Sequence, residues 1–125
     1  MKILFVLLTF LLPVQTIAPN LAPVTKALSE GDATTLSNYL DDSIELTVLS
    51  TQNVYDKAQA TNILRDFFSK NKPKAFAAVH QGSSKGSTSH YTIGDLNSGA
   101  GTFRVYLYYK SAGDKPIIQE MRIEK

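Results

Sequence analysis

Cysteine is absent from all 125 residues, which excludes disulfide bonds, thiol nucleophiles, cysteine zinc sites and lipid attachment through a cysteine behind a leader. An excess of one charge is also missing, since 13 Lys and Arg stand against 11 Asp and Glu. The basic side chains are scattered, mostly beside an acidic one. They form no stripe that could neutralise a phosphate backbone, so nucleic acid is excluded as a partner. The apolar run that stands out, Ile3 to Leu12, is stopped by Pro13 and falls short of the roughly 20 residues that a spanning helix needs.

That same run has the layout of an export leader, with Lys2 before it and a polar flank after it. We read residues 1–18 as a signal segment and residues 19–125 as a single domain, exported to the periplasm or secreted, with no stable membrane span once the leader is removed. Thr16 and Ala18 are the small residues near the end of the leader, and Pro19 disfavours cutting directly after Ala18. The alternative is a retained anchor or a buried first helix. Losing Lys2 takes the 13 basic side chains to 12 against 11 acidic ones, so the mature chain is close to neutral. With 43% hydrophobic and 19% charged residues, the chain can bury a core.

Helical signals come first after the leader. LAPVTKALSEGD puts Leu21, Val24 and Leu28 on one face, with Pro23 in the first turn and Gly31 able to take a left-handed cap. Asp32 then caps a second helix carrying Leu36, Tyr39 and Leu40. SIELTVLS alternates Ile44, Leu46 and Val48 against Glu45 and Thr47, a strand with one wet face. A third helix follows, capped by Asp56 with Gln59 reaching back. Ala60, Ile63, Leu64, Phe67 and Phe68 form its apolar stripe, and Asn71 to Pro73 end it.

Beyond Pro73 only strands and turns are expected. The strands are KAFAAVHQG, SHYTIGDL, GTFRVYLYYK and KPIIQEMRIE, joined by the polar turns SSKGST, NSGAG and SAGD. In the third of them Phe103, Val105, Leu107 and Tyr109 share one face, and Arg104, Tyr106, Tyr108 and Lys110 share the other. In the last, strict alternation sets Ile117, Gln119, Met121 and Ile123 against Ile118, Glu120, Arg122 and Glu124. Both faces of GTFRVYLYYK carry apolar or aromatic residues, so which face is concave stays open. Helices followed by a four-strand meander give an α+β domain, with N-terminal helices packed on a curved, mainly antiparallel sheet.

This order resembles the nuclear transport factor two-like fold, the cone shared with ketosteroid isomerases and many small ligand-binding proteins. ALSEGDATTLSNYLDDSIELTVL, VYDKAQATNILRDFFSKNKP, VHQGSSKG, YTIGDL and GTFRVYLYY resemble more closely a family of uncharacterised secreted domains from Bacteroidota, over roughly residues 21–124. The resemblance implies fold and compartment. It carries no activity, because function belongs to sites rather than folds.

The stretch HQGSSKGSTSHY, residues 80–91, invites two chemical readings. As a phosphate loop it fails: three residues separate Gly82 from Gly86, Lys85 precedes the second glycine, and a strand rather than a helix follows. As a metal site it fails too, because His80 and His90 have no carboxylate close by, and Asp95 lies on the opposite strand face from His90. His80, on the face of Phe76 and Ala78, keeps functional interest. His90 is expected to be exposed beside the turn.

Cones of this fold place a mouth between the third helix and the concave sheet, which makes a binding pocket the natural expectation. The candidate pocket residues are His80, Arg104, Tyr55, Tyr91, Tyr106 and Glu120. Tyr39 and Asp56 are further polar material, although Asp56 is accounted for as a cap. None of these matches the spelling of a ketosteroid isomerase site, which needs an Asp base and an oxyanion hole of Tyr and protonated Asp. Arg104 either pairs with Glu120 or Glu124 across the ladder or, if unpaired, suits an anionic ligand. Three functions follow in order: a non-catalytic binding module for a small molecule or a protein, a homodimer using Tyr106, Tyr108 and Ile118 as a sticky face, and a hydrolase or isomerase. No cofactor, metal or catalytic set is implied.

Overall fold

The computed structural model describes residues 19–84 and 88–125; the leader expected at residues 1–18 and the tip of the first long turn, residues 85–87, lie outside the described residues. Helix α1 (Ala22–Glu30) carries Pro23 in its first turn and ends at Gly31, whose φ of 66° is the left-handed cap conformation that glycine adopts without Cβ strain. A Cβ on Gly31 would lie 2.9 Å from Cδ of Pro73, so this corner packs directly against the start of the meander. Helix α2 (Ala33–Ser37) is capped by Asp32, whose side chain accepts from the Thr35 N–H. It stops before Tyr39 and Leu40, which were expected to continue it. The Tyr39 carbonyl accepts from the Ile118 N–H at 2.7 Å, and that bond starts a strand.

Strand β1 (Leu40–Val48) leads into β2 (Thr51–Asp56), a strand that no pattern in the sequence marks. Only Tyr55 of β2 is even half-buried, so period-two hydrophobicity had nothing to mark. The turn between them uses Leu49 at φ 57°, where glycine or asparagine would have signalled a hairpin. Helix α3 (Lys57–Lys70) follows with the expected capping box: the Gln59 N–H donates to Asp56 Oδ1 at 2.8 Å, and the Asp56 N–H donates to Gln59 Oε1.

The meander is β3 (Pro73–Ser83), β4 (Ser89–Ser98), β5 (Gly101–Ala112) and β6 (Lys115–Glu124). The six strands form one sheet in the order β2-β1-β6-β5-β4-β3, antiparallel throughout except for the parallel β1–β6 pair. The fold is therefore α+β, with the helices on one face of a mixed, mainly antiparallel curved sheet. Phe103, Val105, Leu107 and Tyr109 are buried as one face of β5. Phe67 of α3 stands edge-on to Phe103 at 5.1 Å, and with Leu64, Leu96 and Val105 it fills the space between α3 and the sheet where the mouth was expected.

Two register breaks correct the alternation read from the sequence. In β6 the pairing passes from Tyr108↔Glu120 to Tyr109↔Ile118, so Gln119 is an extra residue and the parity changes there. Pro116 and Ile118 consequently join Met121 and Ile123 in the interior, while Ile117 remains half-exposed. In β3 the pairing passes from Ala78↔Gly94 to His80↔Ile93. The extra residue, Val79, puts His80 on the face opposite Phe76 and Ala78. Such bulges bend a strand and re-aim the side chains beyond them.

Phe76 lies over Gly94, where an added Cβ would come within 2.3 Å of the ring and 2.8 Å of the Ala77 carbonyl oxygen. The ring could swing aside but the backbone oxygen could not. Gly94→Ala should therefore destabilise the protein by about 1–3 kcal/mol in chemical denaturation. A change below about 0.5 kcal/mol would show that the β3–β4 contact yields freely.

Candidate functional site

The face of the sheet turned away from the helices carries an aligned set of polar and aromatic side chains. One row of directly paired residues runs Gly82, Tyr91, Tyr108, Glu120, Glu45, Val54; the next runs His80, Ile93, Tyr106, Arg122, Thr47, Gln52. Paired residues share a face, so five of the six candidate residues, namely His80, Tyr91, Tyr106, Glu120 and Arg104, lie on this outer face. Tyr55 does not: it pairs with Ile44 and packs half-buried against the core.

A cleft of about 520 Å³ opens over the first row. Tyr91, Tyr108, Glu120 and Glu45 line it, and Ser84, Ser89, His90, Tyr109 and Gln119 close one end. The Tyr91 ring lies over Gly82, where an added Cβ would approach its hydroxyl to 2.6 Å. That position lets the Tyr91 hydroxyl hydrogen-bond Nε2 of His80 at 2.9 Å. Tyr108 and Glu45 of this group were not among the candidates. The direct pairing of β5 with β6 makes Tyr108 the neighbour of Glu120, and Glu45 enters through the parallel β1–β6 pair, which no local pattern announces.

Electrostatics sets this row apart. Glu120 stands opposite Glu45, and its carboxyl is pushed above its ordinary value, first by burial and then by the Glu45 charge, with Arg122 opposing. Glu45 accepts a hydrogen bond from the Gln52 amide, whereas Glu120 has no hydrogen-bond or ion-pair partner among the described residues. The nearby cation is engaged elsewhere: Arg122 pairs with Glu124 and lies over the Tyr106 ring at 5.0 Å. Thr47, one row along from Glu45, buries a hydroxyl with no hydrogen-bond partner.

Arg104 is paired as well, but with Asp95 at 2.8 Å rather than with Glu120 or Glu124. Asp95 and Glu124 both sit directly opposite Arg104, in the β4–β5 and β5–β6 ladders, but Glu124 is taken by Arg122, which leaves Asp95 to Arg104. The condition for an anionic ligand at Arg104 is not met. Ile118, proposed as part of a sticky dimer face with Tyr106 and Tyr108, is fully buried in the core because of the Gln119 bulge.

His90 is the larger correction. Instead of being exposed it is 9% accessible on the helix-facing side of β4. Its Nδ1 is 2.6 Å from Ser83 Oγ and its Nε2 is 2.8 Å from Ser111 Oγ. The ring stacks on Tyr109 with centroids 5.6 Å apart, and the Tyr109 hydroxyl reaches Thr92 Oγ1 at 2.9 Å. With a serine on each nitrogen and no carboxylate to stabilise an imidazolium, this network ties the ends of three strands together. It lacks the orienting acid of a nucleophilic triad. Among the described residues no group of three or more His, Asp or Glu could hold a metal ion, and no helix is long and apolar enough to cross a membrane.

The family model described as a domain of unknown function, DUF4783, matches residues 21–124. A solved DUF4783 protein from Bacteroides ovatus is 34% identical with a TM-score of 0.76, covering 83% of this chain and 93% of its own. One from Bacteroides uniformis is 32% identical with a TM-score of 0.76, covering 83% and 94%. A designed protein of nuclear transport factor two type matches at 13% identity and a TM-score of 0.63, covering 82% and 91%, a likeness of fold alone. No curated protein matches the chain.

The Glu45–Glu120 pair should be visible in stability. Glu120→Gln removes one of two facing like charges and should stabilise the protein at pH 7 by a few tenths of a kcal/mol, the scale of partly exposed charge pairs. Because the folded state raises this carboxyl above its ordinary 4.5, it binds the proton more tightly than the unfolded chain does. Wild-type stability should therefore fall as pH rises from about 4.5 through the raised value. The advantage of Glu120→Gln should grow over that window in thermal melts, and a gap of equal size at both ends would refute the electrostatic account.

Proposed function

The chain belongs to the DUF4783 family and has a nuclear transport factor two-like fold, and from that premise we propose that it is an exported, non-catalytic binding module whose ligand sits in the outer-face cleft. The observation that carries the reading is the unpartnered Glu120 carboxylate, half-buried among tyrosines in a cleft of about 520 Å³. A protein with no ligand there gains nothing from holding a carboxylate opposite a second one. Where binding is the task, polar groups left open in a partly apolar cleft are the groups that recognise. Catalysis is not supported, because neither His90 nor Glu120 has the companion groups that a general base and its reacting centre require.

Export is supported by the charge and length of residues 2–12 and by the start of the family match at residue 21. Expressed with its leader in a Gram-negative host, the protein should be recovered from the periplasm shortened by about the first 18 residues, read by intact mass. Recovery at full length in the cytoplasm would rule export out.

Binding is tested by amide-shift mapping with a fragment set that mixes cationic, neutral and anionic members. Hits should move the amides of Tyr91, Tyr108, Gln119 and Glu120, and Tyr108→Ala should weaken them several-fold. Hits confined to other surfaces, or indifferent to Tyr108→Ala, would sink the reading.

A further inference from the structure

The chemistry of the cleft narrows what it can hold, and the argument rests on the cleft being a binding site. Its lining contains two carboxylates, Glu45 and Glu120, and neither a lysine nor an arginine. Elsewhere on the outer face the acids are matched: Asp95 by Arg104 and Glu124 by Arg122. Among the described residues, only the Glu45–Glu120 pair brings like charges face to face in the sheet. Adjacent strands run about 4.8 Å apart, so the two carboxylates can close on a single group placed between them. The ring of Tyr108, directly paired with Glu120, borders that position, and an aromatic face attracts a cation; Tyr91, its ring over Gly82, lines the far end of the cleft. A carboxylate that accepts from no donor leaves its lone pairs open to N–H groups.

We propose that the cleft binds an organic cation bearing N–H donors, an alkylammonium or guanidinium group held between Glu45 and Glu120 and against the face of Tyr108. The cation supplies the positive charge that the row lacks and fills the open acceptor sites of Glu120. An anion of the same size meets two like charges. A neutral molecule of the same shape gains the tyrosine contact alone. The charged and titratable groups on the face of Glu120 are Glu45 from β1, Tyr108 from β5, Tyr91 from β4 and Arg122 from its own strand, so lowering the pH protonates Glu120 and weakens the grip on a cation.

The test uses three probes of matched length, butylammonium, butan-1-ol and butyrate, titrated into the protein and read at the amides of Tyr91, Tyr108, Gln119 and Glu120. Butylammonium should bind at least tenfold more tightly than butan-1-ol, and butyrate should leave these amides unmoved. In Glu45→Gln/Glu120→Gln the advantage of butylammonium should fall at least tenfold, with butan-1-ol unchanged. Wild-type binding of butylammonium should weaken several-fold from pH 7 to pH 4, a reading that needs no variant to fold. Equal binding of butylammonium and butan-1-ol at the cleft would overturn the cation assignment and leave the binding module standing. Full affinity for butylammonium in the double variant would also overturn it. Failure of all three probes to touch the cleft amides would count against both.

Discussion

The extra residue at Gln119 governs what the two faces of the sheet can be. Without it, Ile118 would share the outer face with Glu120, and the core would lose a fully buried isoleucine. With it, β6 sends Pro116 and Ile118 inward at one end and Met121 and Ile123 inward at the other. Glu120 is left pointing out beside Tyr108, at the place where the strand bends. The bulge thus serves packing and cleft together, since burying the isoleucine on one side fixes the carboxylate on the other.

The parallel β1–β6 pair then completes the row. Its register opposes Glu45 to Glu120 and Thr47 to Arg122, and both positions carry an unrelieved polar group. Like charges directly opposite are unfavourable in a ladder, and a buried hydroxyl without a partner costs about 1–3 kcal/mol. The helix-facing side shows the contrary habit, for His90, Thr92 and Tyr109 all find hydroxyl partners. Incomplete satisfaction is concentrated on β1 and β6 of one face, which is where a missing partner would sit.

Much of this fold was legible in local patterns. The cap at Asp56, the stripe of α3, the turn at Gly31 and the buried face of β5 each express one period or one residue preference, and each stands where those rules put it. Strand β2 was hidden because it buries almost nothing and turns on a leucine instead of a glycine. The site was less legible for a related reason. A single extra residue in β3 and another in β6 change the parity of everything beyond them, and sequence alternation carries no mark of where that happens. His80 and Ile118 were assigned to the wrong face on that account. Tyr91 and Glu120 were recognised as polar material without their neighbours Tyr108 and Glu45, because the long-range β1–β6 pairing that assembles the row lies about 75 residues apart in the chain.

Where the chemistry sits also bears on what it can be. Cones of this fold have a mouth between α3 and the sheet, but here that volume belongs to Phe67, Phe103 and their aliphatic neighbours. A catalytic acid of the ketosteroid isomerase kind needs an apolar enclosure to hold it neutral and aim it. Glu120 has burial on one side and an open cleft on the other, so its carboxyl is perturbed without being sequestered. Such a group is poorly placed to force a proton onto a substrate and well placed to exchange a shell of water for a charged donor. The same geometry that disfavours acid–base work therefore favours recognition of a cation at this face.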